Sequence, residues 1–448
     1  MPKTKFLKLK NTVLSESAIL RYFSFSLLYV CEGIPIGMMI FAVPAWLAAN
    51  DKSPMEIAAY LSVLFIPWSF KIVLAPLMDR YTFLPMGRKR PWIIFSQIFL
   101  IISFLSVAFV TNPLSNLGVV MVVGFFISFF GALQDIAIDG MAVDIIPAHQ
   151  QAKANGIMWG SRIIGQSLSL LIGTYLINSI GFSDAIASLS FVVAILIFIP
   201  ILFRERKGEK LMPWTKGKPS IASKKAQLTN WGSLLKSLYK VILLPTSLCL
   251  GIGMICTGSL SGLMTAFLPI FTVQELSWTN TDYSHVYSTA TLIGGCLGMV
   301  LGGTLIDRLG TKKMILVLLI VISMLLGTFV LFSGYWHITG IIYSFVIIYF
   351  ISTTLLDIAI LATAMKISWE KVSASQFTLY MTLNNLGNSF GSWSLGSLKE
   401  NLTWTYVIII IALVPVLAIL IYRMIQLKQH SISIKNFNQQ EKLNTSII

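Results

Sequence analysis

Apolar residues in this chain come in long runs rather than in alternation. Twelve such runs can be marked, over 22–48, 55–77, 92–110, 117–145, 154–178, 184–203, 242–272, 284–306, 314–333, 338–364, 375–396 and 404–425. A helix needs about 20 apolar residues to cross the hydrocarbon core of a bilayer. The pattern therefore predicts twelve transmembrane helices. Strands of a membrane barrel would be about 10 residues long and would alternate in polarity, which these runs do not. Pro35, Pro44, Pro67, Pro245, Pro269 and Pro415 fall inside the runs. Membrane helices tolerate proline where neighbours satisfy the freed carbonyl. Gly294, Gly295, Gly298, Gly302 and Gly303 form a stripe of small residues that favours close helix approach.

Composition agrees with this reading. Of 448 residues, 56% are hydrophobic and 11% charged, against about 25% charged in a soluble domain. A soluble enzyme, a disordered regulator and a secreted disulfide scaffold are excluded. Cys31, Cys249, Cys256 and Cys296 lie in apolar runs without CxxC spacing, so neither a disulfide nor a metal site is expected. No cofactor is expected. Lys3, Lys5, Lys8 and Lys10 precede a run too long for a cleavable signal.

The net charge is +15. Its distribution matters more than its size. Lys52 and Lys399 fall in loops on one side and Lys71 and Arg162 inside spans; the remaining 29 of 33 bases fall on the other side. The positive-inside rule then places both termini in the cytoplasm. The bases mark a membrane face, so no nucleic-acid partner is expected.

The chain divides into a six-helix bundle over 1–203 with a basic N-terminus, a cytoplasmic linker over 204–241, a second six-helix bundle over 242–425 and a cytoplasmic tail over 426–448. Within the linker, Trp231, Leu234, Leu235 and Leu238 recur at helical spacing with Lys236 and Lys240 between them. This fits an amphipathic helix on the inner leaflet, or equally a solvated connector. Two matches relate the halves. Asp79-Arg80 with Gly87-Arg88-Lys89-Arg90 corresponds to Asp307-Arg308 with Gly310-Thr311-Lys312-Lys313. Asp135-Ile136-Ala137-Ile138 corresponds to Asp357-Ile358-Ala359-Ile360. They occur in the same order on equivalent helices, which argues for parallel repeats.

The stretch from Gly303 through Asp307, Arg308 and Gly310 to Lys312 and Lys313 resembles the loop motif of the major facilitator superfamily, and residues 79–90 resemble a looser copy. The resemblance implies two six-helix bundles, a central site near mid-bilayer and alternating access, worked by a monomer on a small-molecule solute. The N-terminal half is similar to a narrower group. Glu32-Gly33-Ile34-Pro35, Pro44-Ala45-Trp46-Leu47, Lys71, Ala75-Pro76 and Gln134-Asp135 with Asp139 resemble the AmpG-type muropeptide permeases and the related acetyl-CoA transporters. That likeness implies an inner-membrane importer of a muropeptide-like cell-wall fragment, coupled to protons.

An ionisable group at mid-bilayer costs about 2.5–3.5 kcal/mol on insertion scales and so marks a candidate site. Six qualify: Glu32, Lys71, Asp135, Asp139, Arg162 and Asp357. Counted at about 1.5 Å per residue, Lys71, Asp135, Asp139 and Arg162 share one slab. Asp135 and Asp139, at i and i+4, share a helix face. A Lys71–Asp–Arg162 network would keep them paired. Glu32, with no partner evident at its depth, is favoured as the proton-coupling acid, ahead of Asp135 and Asp139. Asp357 is the only deep acid of the second half and is expected to contact solute or to couple. Tyr29, Gln134, Trp159, Asn384 and Asn388 are the polar and aromatic candidates for the cavity wall. By resemblance, Asp79 (with Arg80 and Arg88) and Asp307 (with Arg308 and Lys312) lock the inner face. Their expected partners are the eleventh-helix start near Ser373 and the fifth-helix start near Lys153.

Other functions compete. An exporter, or a carrier for a siderophore, nucleotide, acyl-CoA or drug, fits the same pattern. Asp135, Asp139 and Asp144 are also spaced as in metal-dependent intramembrane transferases, but no second acidic cluster faces them. An enzyme is not expected.

Overall fold

The computed structural model describes residues 13–225, 231–369 and 372–446. Among these residues it is helical throughout, apart from turns, loops and one isolated bridge between Val13 and Arg204. Twelve long helices follow in order. They are α1 (Ala18–Ala49), α2 (Pro54–Arg80), α3 (Arg90–Phe109), α4 (Leu117–Ile145), α5 (Ala148–Ile180), α6 (Phe182–Leu202), α7 (Pro245–Glu275), α8 (Asn280–Leu309), α9 (Thr311–Leu331), α10 (Thr339–Ile367), α11 (Ser373–Asn401) and α12 (Trp404–Arg423). Ten are apolar enough to span a bilayer on their own, and α8, bent by 45°, makes an eleventh. The remaining helix, α11, is long enough but too polar to qualify.

Most helices extend beyond the apolar runs, and three of them start on a polar side-chain cap. The Ser17 side chain accepts from the Leu20 amide before α1. Ser53 with Glu56 and Thr279 with Asp282 form capping boxes that start α2 and α8. The seventh span is the main revision. Its expected first residue, Ile242, ends a separate surface helix, Trp231–Ile242, and α7 begins at Pro245, which suits the first helical position because it has no amide to leave unpaired. At the α8–α9 turn Gly310 has φ +75°, a conformation glycine adopts without strain.

A finer repeat underlies the packing. Gly33, Gly37 and Pro44 of α1 recur as Gly258, Gly262 and Pro269 of α7, each 225 residues on (258 − 33). Each helix also widens into a π turn, α1 over Ile36–Ala42, which contains Gly37, and α7 over Phe271–Glu275. The glycines let backbones touch. A Cβ on Gly33 would lie 2.4 Å from the Arg162 carbonyl oxygen of α5, and one on Gly258 would lie 2.1 Å from the Asn384 carbonyl oxygen of α11. The α1–α5 and α7–α11 pairs are therefore equivalent cores of the two halves.

The halves meet on the face away from the termini. The Gln274 amide donates to the Ala48 and Lys52 carbonyls at 3.2 and 2.8 Å. Asn178 and Asn280 exchange amide hydrogen bonds at 3.0 and 2.9 Å. Thr174 and Ser284 share one at 2.7 Å, and Ser62 and Ser389 one at 3.0 Å.

The linker packs on both halves in turn. Its first part folds onto the first half. The Leu14 amide donates to the Arg204 carbonyl and the Lys210 amide to the Pro85 carbonyl. Its second part docks on the second half, where Val241 is buried with Trp369 and Val372, while Leu235 stays exposed. The side chains of Trp231 and Leu234 lie outside the described residues. The tail forms a helix, Leu427–Ser446. His430 Nε2 lies 2.7 Å from the Ile367 carbonyl, and Asn438 accepts from the Trp369 indole at 2.7 Å. Burial holds the His430 imidazole below its usual pKa.

Candidate functional site

Five of the six embedded charges converge inside the first half. Pro67 lacks an amide donor, and around it α2 tightens into a 3-10 turn, Ile66–Phe70, directly before Lys71. Lys71 Nζ donates to Asp135 Oδ2 of α4 and sits 4.9 Å from the Trp68 ring centre. Arg162 Nη1 of α5 lies 3.0 Å from Glu32 Oε1 and 3.9 Å from Asp135 Oδ1. Glu32 thus has the partner that counting depth along the sequence missed. It is fully buried, and neither carboxylate oxygen completes a hydrogen bond among the described residues, so the Arg162 ion contact is its main compensation. Arg162 also lies against Trp159 and Trp68, 5.2 and 5.8 Å from the ring centres.

Asp139 differs. It accepts from the Tyr29 hydroxyl, makes no ion pair among the described residues, and is exposed. It lies six residues before the end of α4 on the termini face. One helical turn therefore separates an acid locked by two bases, Asp135, from an acid that water can reach.

A cavity of about 520 Å³ opens beside this cluster, between α1 and α5 of one half and α7, α8 and α10 of the other. Phe41 and Tyr287, 4.5 Å apart, lie towards its closed end. Asn155, Gly303 and Met365 carry it towards the termini face. Asp357 lines it, exposed to the cavity, together with Thr257, Ser261, Gln166 and Tyr349.

Of the five polar and aromatic candidates, Trp159 lines this cavity. Tyr29 faces Asp139. Gln134 is fully buried and accepts from the Cys31 thiol. Asn384 donates to the Met254 carbonyl of α7, and Asn388 donates back to Asn384, so both serve helix contacts. The wall residues Thr257, Ser261, Tyr287 and Gln166 escaped sequence reasoning, since hydroxyls and amides in an apolar run do not announce which face they take.

The loop motif forms a charged knot. Asp79 pairs with Arg88 Nη2 at 2.7 Å and with Lys89, and Arg88 Nη1 reaches Asp144 at 2.9 Å. Burial disfavours the Arg88 cation, but Asp79 and Asp144 outweigh it and raise its pKa. Arg80 lies 5.6 Å from the Tyr81 ring centre. These partners belong to the first half; a contact from Asp79 to the α11 start near Ser373 is not among the described ones. The Asp307 side chain lies outside the described residues. Arg308 is exposed, and Lys312 Nζ donates to the Arg423 and Ile425 carbonyls at 2.8 and 2.7 Å.

Glu205 closes the knot from the linker. Its carboxylate accepts from three successive amides, Arg88 (2.9 Å), Lys89 (2.7 Å) and Arg90, at the N-terminus of α3. Burial and nearby Glu209 push this carboxyl up, and the three amides pull it back down, leaving it raised. Gly87, with φ +109°, passes so close that a Cβ would lie 2.6 Å from the Glu205 carboxyl carbon. Arg90 donates to the Pro200, Lys210 and Leu211 carbonyls. Glu205→Ala strands three amides, at about 1–3 kcal/mol for each buried group left unpaired. We expect faster trypsin cleavage at Arg206, Lys207 and Lys210 in the variant, with helical circular dichroism unchanged. Equal cleavage rates would refute the clasp.

Twelve helices in two halves around a cavity that opens to one face fit a membrane transporter. The sequence profile of the Major Facilitator Superfamily matches residues 25–392, and the chain belongs to that family. Membership sets the transferase reading aside. Among curated proteins, the anhydromuropeptide permease of Escherichia coli strain K12 is 27% identical over 157 residues, 35% of this chain and 30% of that protein. Putative transporter AmpG 3 of Rickettsia prowazekii is 28% identical over 155 residues, 33% and 35% of the two chains. An uncharacterised protein of Haemophilus influenzae is 32% identical over 126 residues, 28% and 29% of the two. The chain thus matches about a third of the length of these relatives. Among solved structures, the D-xylose-proton symporter aligns with TM-score 0.70 at 12% identity, covering 92% of this chain and 99% of that one. The nucleoside transporter NupG aligns with TM-score 0.67 at 15% identity, covering 90% and 98%. At such identities the likeness is one of fold.

Proposed function

We propose that the chain is a proton-coupled importer of the inner membrane, seen here open to the cytoplasm. The carrying observation is a solute-sized cavity between the halves that reaches the termini face, while inter-half hydrogen bonds close the opposite face. The bias of 29 bases towards the termini face makes that face cytoplasmic. The permeases among its relatives make a muropeptide-like fragment the first solute to try. Other solute classes and outward transport remain the competing reading.

Asp139 is the coupling acid that the geometry favours over Glu32. A coupling group must meet water and must be able to lose its charge; Asp139 is exposed and has the Tyr29 hydroxyl as its partner among the described residues, whereas Glu32 is buried against Arg162. Asp135 is held by Lys71, with Arg162 close by. In proteoliposomes with an imposed pH gradient, Asp139→Asn is expected to abolish uphill accumulation of anhydromuropeptide and to leave solute exchange intact. Full pH-driven accumulation by that variant would sink the assignment.

A further inference from the structure

The two halves carry opposite electrostatics at equivalent positions. Asp357 stands 222 residues after Asp135, and Asn384 stands 222 after Arg162 (384 − 162). The second half therefore keeps the acid and replaces its base with an amide that serves the α7–α11 contact. Asp135 is held by Lys71; Asp357 has no ion pair among the described residues. It faces the inter-half cavity, whose described lining holds no lysine, arginine or histidine. Lys71 and Arg162 pair with Asp135 and Glu32 of the first half, and neither is among the described residues that line the cavity. The rest of the cavity lining is largely aliphatic, aromatic and hydroxylated; the aromatic members include Trp159, Tyr287, Tyr349 and Phe350.

A carboxylate at membrane depth is costly unless a cation or a proton meets it. Among the described residues of the cavity wall no cation meets Asp357. Aromatic faces also attract cations and repel anions. We infer that Asp357 is an ammonium subsite, so that the transported solute presents an amine to Asp357 and an apolar or aromatic body to the cavity wall. This rests on the reading of the cavity as the transport site, and it narrows that site's substrate class. A wall peptide bearing a free amino group qualifies; a purely anionic fragment does not.

The test uses the full chain in lipid nanodiscs and three probes of one shape: 1-naphthylmethylamine, 1-naphthalenemethanol and 1-naphthoate. Calorimetry is expected to show the amine binding at least tenfold more tightly than the alcohol, with the carboxylate weakest. Asp357→Asn should bring the amine to the level of the alcohol while alcohol binding persists, which shows the cavity intact. Asp357→Glu should keep the amine preference, and it decides the matter if the Asn variant binds nothing. Equal affinity for amine and alcohol, a preferred carboxylate, or an amine preference surviving in Asp357→Asn would overturn the subsite. Proteoliposome uptake scores the transport reading separately. Amine discrimination without uptake of any amine or muropeptide would overturn that reading and keep the subsite. Muropeptide uptake without amine discrimination would overturn the subsite alone.

Discussion

Arg162→Met is expected to destabilise the folded protein by about 3–5 kcal/mol, the cost of removing one partner from a buried ion pair. The loss falls mainly on Glu32, which is fully buried and completes no hydrogen bond among the described residues. Asp135 loses a second, longer contact but keeps Lys71. Removing both charges should recover most of the loss, because Arg162→Met with Glu32→Gln leaves no stranded carboxylate. Thermal unfolding in detergent, with size-exclusion chromatography for the folded fraction, reads both variants. A double variant no more stable than the single one would show that Arg162 acts mainly through packing on Trp159 and Trp68. An undiminished melting temperature in the single variant would refute the pairing itself.

Gly262→Val should have the next largest effect. Even a single Cβ on Gly262 would lie 2.1 Å from the Asn388 carbonyl oxygen, a backbone atom that cannot swing away. The two helices would have to separate, breaking the 3.0 Å hydrogen bond from the Ser392 hydroxyl to the Gly262 carbonyl. Overpacking of this kind costs about 1–3 kcal/mol, and the lost hydrogen bond adds to it. Gly303→Ala is the matched control. Nothing lies within 4 Å of its Cβ position, so the change should be neutral or stabilising by up to about 1 kcal/mol through helix propensity. Equal melting temperatures for Gly262→Val and the unaltered chain would remove the close contact from consideration.

The span count, the two halves and the embedded charges were all legible in the residue pattern, because hydrocarbon penalises polar atoms wherever they fall. Pairing was less legible. Depth counted along a regular helix left Glu32 without a partner. In the structure α1 and α5 approach closely through Gly33, Gly37 and Gly165, which sets Glu32 against Arg162. The matching glycines and proline of α1 and α7 lie in plain sight in the sequence, but without a partner helix a glycine spacing has no stated purpose. The Glu205 clasp was hidden for a different reason. Arg204-Glu205-Arg206-Lys207 reads as a solvated charge run, and only the three amides waiting at the start of α3 make one of its members a buried cap. The cavity wall was the least legible part, since threonine and serine in an apolar run cost little on either face.

The polarity of α11 bears on how the protein is made. As a lone segment it is a poor candidate for release into lipid. Four of its polar side chains bond to helices synthesised earlier: Asn384 and Ser392 to α7, and Asn385 and Ser389 to α2 at 3.1 and 3.0 Å. One of those acceptors, Trp68 O, lies 317 residues upstream. Membrane integration of α11 is therefore coupled to tertiary assembly, with the nascent first half acting as part of the solvent into which the penultimate helix partitions.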